Sequence, residues 1–86
     1  MKSRQKLATN LRRLRVERGI SQERLAADSG VDRAYVGGIE RQTENPTIEV
    51  LDKLAEALEV EIGELLASVA ADEEPARLRP GRKPKS

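Results

Sequence analysis

The chain has 86 residues, with sixteen basic and fifteen acidic side chains, no cysteine, no histidine and a single aromatic residue, Tyr35. That size suits one small domain with an aliphatic core, and the composition excludes disulfides, thiolate or imidazole metal sites and histidine general-base catalysis. One ring cannot supply the successive stacking platforms of single-strand binders, and no apolar run is long enough for a signal peptide or membrane span, so the expected location is the cytoplasm.

The predicted elements are all helical. In "KLATNLRRLRVERG", Leu7, Leu11 and Leu14 recur at i, i+4 and i+7, and Gly19 ends the helix. In "ISQERLAADSG", Ser21 is a good N-cap, Ile20 and Leu25 occupy the N′ and N4 positions of a hydrophobic staple, and Gly30 suits a left-handed C′ position. The third helix repeats the arrangement, with Asp32 as the cap and Val31 and Val36 placed to staple. The fourth, "TIEVLDKLAEAL", is capped by Thr47 and carries an apolar stripe of Ile48, Leu51, Leu54, Ala55 and Leu58. A fifth, roughly "EIGELLASVA" over 61–70, carries Ile62, Leu65, Leu66 and Val69. No period-2 pattern appears, so the expectation is an all-α domain of five helices over residues 1–71. Residues 72–86, with three prolines and few apolar side chains, are expected to be a disordered basic tail.

Helices two and three carry the sharpest signal. A helix-turn-helix needs a small residue where its helices cross, a turn residue with positive φ, and apolar residues locking the pair. Ala26, Gly30 and the set Leu25, Val31, Val36 and Ile39 meet these needs at the right spacings. The stretch Leu11 to Val60 accordingly resembles the lambda-repressor-like (Cro/XRE-type) helix-turn-helix family. Within it, "VDRAYVGGIER" is most similar to controller proteins of restriction–modification systems, a string that general regulators of the family share closely. The resemblance implies that helix three lies in the DNA major groove and that the start of helix two, Ser21 and Gln22, is anchored on the phosphate backbone.

The residues themselves fit a groove. At about 100° per residue, Arg33, Ala34, Gly37, Gly38 and Arg41 share one face of helix three, opposite Val36 and Ile39, with Tyr35 at the boundary. Two glycines inside one short helix cost about 1 kcal/mol each relative to alanine. The expectation is that this bare face admits the helix backbone close to base edges, with Arg33 reaching a guanine. Tyr35 is expected to bury its ring and turn its hydroxyl outward. Arg41 and Thr43 stand where the family's loop follows the DNA backbone. In the family the arginine equivalent to Arg15 pairs with the glutamate of "IER", here Glu40, which implies a structural ion pair. Gln42 and Glu59 stand where the family usually has glycine and are expected to adopt left-handed backbone. Glu44 stands in a loop that is usually basic.

Charge is unevenly distributed: residues 1–18 carry net +6, residues 44–74 net −9 and residues 75–86 net +5. One side is thus suited to a polyanion. A single module of this size makes too small an interface for tight specific binding, so a homodimer is expected, with Leu58, Val60, Ile62, Leu65, Leu66 and Val69 as its interface. The tail weakly resembles a minor-groove AT-hook but lacks the central Gly-Arg-Pro order; non-specific phosphate attraction is its expected role. The expected partner is double-stranded DNA, with no cofactor, no metal and no enzymatic activity. A protein-interaction adaptor or antitoxin component built on the same fold is the rival reading.

Overall fold

Local capping chemistry sets the helix boundaries in a computed structural model that describes residues 2–68. Five helices form, with no strand among the described residues: α1 (Ser3–Glu17), α2 (Gln22–Ser29), α3 (Arg33–Glu40), α4 (Ile48–Leu58) and α5 (Ile62–Leu65). Ser21 Oγ accepts from the Arg24 N–H, Asp32 accepts from Ala34 and Tyr35, and Thr47 accepts from Val50. Each cap satisfies N–H groups that the first turn leaves free, worth about 1 kcal/mol apiece. Gly19 and Gly30 take positive φ of 66° and 78°, and so do Gln42 at 66° and Glu59 at 60°. The latter two have a Cβ, and glycine would relieve both.

The buried faces meet in one core. Leu7, Leu11 and Leu14 of α1 pack with Leu25 and Ala26 of α2, Val36 and Ile39 of α3, and Leu51, Leu54, Ala55 and Leu58 of α4. Helix α1 lies against α3 and α5, while α4 lies against α2 and α5. The α2–α3 pair is therefore held from both sides, which fixes the orientation of α3. Burial of each large aliphatic side chain favours the fold by about 1.5–3 kcal/mol.

Three expectations need correction. Ile48 is 64% exposed, and Val50 packs on the core in its stead. Helical side chains lean toward the N-terminus, so that of the first residue of α4 projects past the core. Helix α5 is four residues long instead of spanning 61–70. Asn10, only 2% exposed, donates its amide to the carbonyls of Leu65 and Ala67 at 3.1 and 2.9 Å, drawing the chain out of helix there. Finally, Leu58 and Leu65 of the expected dimer interface are fully buried inside their own domain. Leu66 is 37% exposed, Val60 and Ile62 are half-covered, and Val69 and the tail lie outside the described residues.

Candidate nucleic-acid interface

The N-terminus of α2 and the outer face of α3 are coupled through one carboxylate. Arg15 donates Nε and Nη2 to Glu40 at 2.8 and 3.2 Å, a bidentate pair whose side chains retain 13% and 5% of their exposure. The remaining Nη1 donates to the Ile20 carbonyl at 2.9 Å, so α1, the α1–α2 turn and α3 are pinned together. The hydrogen bond to Glu40 raises the Arg15 pKa above its ordinary value, partly countered by burial and aided by the carboxylate's charge. Glu40 Oε1 also accepts from Gln22 Nε2 at 3.0 Å. This bond uses one amide N–H of Gln22 and leaves the other for an external acceptor.

Along α3, Arg33 and Ala34 are exposed at the N-terminal end and Arg41 is exposed at the C-terminal end. Tyr35 is half-buried with its ring against the core. The face between the arginines is not bare. Gly37 and Gly38 are both covered, and by different neighbours. A Cβ at Gly37 would lie 3.0 Å from Arg41 Nη1 and 3.4 Å from Gln22 Oε1. A Cβ at Gly38 would lie 2.5 Å from Glu44 Cγ and 3.2 Å from Thr43 Oγ1. The loop after α3 folds back onto Gly38, where Thr43 donates both its N–H (2.8 Å) and its Oγ1–H (3.1 Å) to the Gly38 carbonyl. That double bond locks the loop. It also commits the hydroxyl proton of Thr43, which an approaching phosphate, itself only an acceptor, would need.

Gln22, next to the cap Ser21, is therefore joined to α3 by Glu40, and the side chains of Arg41 and Gln22 both reach Gly37. Arg33 and Ala34 stand apart from this group, one turn toward the helix start. Sequence reasoning missed the covering of Gly38 and the Gln22–Glu40 bond, both of which depend on tertiary placement. Among the described residues there is no group of acidic side chains arranged to hold a metal ion, and no helix long and apolar enough to cross a membrane.

Comparison with known proteins agrees with this geometry. The helix-turn-helix family model HTH_3 matches residues 11–65. The crystal structure of the restriction–modification controller protein C.AhdI from Aeromonas hydrophila is 48% identical, with a TM-score of 0.70, over 72% of this chain and 94% of that one. The controller protein C.Esp1396I, solved as a tetramer in complex with its natural 35-base-pair operator, is 35% identical, with a TM-score of 0.67, over 78% of this chain and 99% of that one. A hypothetical transcription factor of Neisseria meningitidis serogroup B is 45% identical over 60 residues, 70% of this chain, which spans 57% of that relative's length. With the α2–α3 unit, its caps and its Arg15–Glu40 tie all inside the matched region, the chain belongs to the Cro-like helix-turn-helix family, a family of transcriptional regulators and not of enzymes.

Proposed function

We propose that the chain is a sequence-specific binder of double-stranded DNA that regulates transcription as a homodimer on an inverted repeat. The observation that carries this reading is the outer face of α3, which exposes Arg33 and Ala34 at its start and Arg41 at its end, with Arg41 and Gln22 of α2 both reaching Gly37 between them. A helix of this width enters the major groove, where arginine reads guanine through O6 and N7. Gln22, oriented by Glu40, and the cap at Ser21 stand where the neighbouring phosphate runs. The operator complex of C.Esp1396I supports the reading by likeness. The exposed acidic side chains of α4 and α5, among them Glu49, Asp52, Glu56 and Glu64, suit a face turned away from the duplex.

Two copies are needed because one module buries too little surface for tight specificity. Leu66, with half-covered Val60 and Ile62 nearby in sequence, is the apolar surface proposed for their contact. Selection of bound duplexes from a random pool tests the reading. The expected product is an inverted repeat with half-site centres about 34 Å apart, bound with an affinity that falls steeply as salt rises. Recovery of no common motif, with salt-insensitive capture, would favour the protein-interaction reading.

A further inference from the structure

Eight arginines lie among the described residues, and five of them donate a side-chain hydrogen bond to the protein: Arg4, Arg13, Arg15, Arg18 and Arg24. Arg12, Arg33 and Arg41 do not. Arg12 is on α1, whereas Arg33 is the first residue of α3 and Arg41 its C-cap. The position of the Arg41 guanidinium is informative. Instead of extending from the helix end along the loop, it lies back over Gly37, one turn toward the N-terminus, with Nη1 3.0 Å from the point a Cβ would occupy. The carbonyl oxygen of Gln22 reaches the same point from the other side, at 3.4 Å, while the amide of Gln22 is held by Glu40 at 3.0 Å. A side chain at position 37 would fill this notch, so the missing Cβ creates the seat for a guanidinium.

From this geometry we infer that Arg41 is a specificity-determining residue that reads a guanine in the major groove, with Gly37 as its seat and Gln22 beside it. The inference rests on the DNA-binding reading above and departs from a purely backbone-tracking role for Arg41. An arginine laid along the groove-facing surface offers its planar fork to base edges at mid-helix, where lysine, a point donor, cannot make the bidentate pattern. Arg33 starts one turn earlier. Each half-site should therefore contain two separate guanines, one read by each arginine.

The test compares duplexes selected from a random pool by the full chain and by its R41K and R33K variants. Arg41 is exposed and makes no side-chain hydrogen bond among the described residues, so R41K leaves the fold intact. The wild type is expected to select the two guanines. R41K should lose preference at one of them, by about tenfold or more, while retaining the other guanine and the salt dependence. R33K should show the reverse. Gly37→Ala, which displaces the guanidinium, should weaken the same position as R41K. If R41K keeps both guanines and R41A lowers affinity equally for all sequences, with a salt slope smaller by about 1, Arg41 is a phosphate contact and the inference is overturned alone. If the wild type selects no motif, the DNA-binding reading falls and the inference with it.

Discussion

Gly37 and Gly38 are consecutive residues of one turn of α3, yet a methyl group should have opposite effects at the two. At Gly37 the contacting atoms are the mobile tips of Arg41 and Gln22. Gly37→Ala should therefore keep most of the helix-propensity gain, up to about 1 kcal/mol. At Gly38 the new methyl would strike Glu44 Cγ and crowd Thr43, whose donors close the loop. Gly38→Ala should forfeit that gain, and a further Glu44→Ala change should restore it. Urea denaturation of the two single variants and the Gly38→Ala/Glu44→Ala pair reads this out. Equal stability of Gly38→Ala with and without the Glu44 change would refute the packing account. From sequence, both glycines lie on the outward face of α3, as their angular positions dictate. Their covering was not legible, because at Gly37 it depends on side chains from α2 and the end of α3, and at Gly38 on a loop that turns back through Gln42 at a φ of 66°. That left-handed position was itself readable, since the family places glycine there.

Between elements, two polar ties do what aliphatic packing cannot, namely fix register. Glu40 joins α1, α2 and α3 through Arg15 and Gln22. Removing either Arg15 or Glu40 leaves its partner's charge nearly buried, and each single alanine change should cost about 3–5 kcal/mol. The double variant should cost well below the sum, and a thermal-unfolding cycle with no coupling would show the pair to be inert. Because folding raises the Arg15 pKa, the stabilisation from its side of the pair is fully present below the unfolded-state value. It fades only as pH climbs through the still higher folded-state value, so stability should show no loss from Arg15 deprotonation between pH 6 and 9, roughly. Asn10 is the second tie. Asn10→Ala would strip two carbonyls of their donor and should cost about 1–3 kcal/mol, with hydrogen exchange accelerated first in α5. Uniform acceleration across all five helices would contradict a local tie. The pattern held a hint of it, for Asn10 sits between Leu7 and Leu14 on the face that should be wholly apolar. Its partners, backbone carbonyls 55 and 57 residues away, leave no trace in the sequence. The caps at Ser21, Asp32 and Thr47 were legible because each bond spans only two or three residues.

At the scale of the molecule, the charge division along the chain places most basic side chains of the first 18 residues on α1 and the exposed acidic ones of residues 49–64 on α4 and α5. The apolar surface is less easily read. The stripe Leu58 to Leu66 looks continuous in sequence, but the core takes Leu58 and Leu65. Leu66 keeps 37% of its exposure, so Leu66→Asp should cost the monomer no more than about 1–2 kcal/mol and leave it folded. On the proposed reading it should weaken self-association and operator binding together, measured by sedimentation equilibrium and a duplex titration. Unchanged self-association would remove Leu66 from the contact surface.

The clasp made by Asn10 has a further consequence. Its amide grips main-chain oxygens, which every amino acid possesses, so the grip is blind to the identity of the residues it holds. A change of side chain at Ala67, which is exposed, should therefore leave this clasp intact.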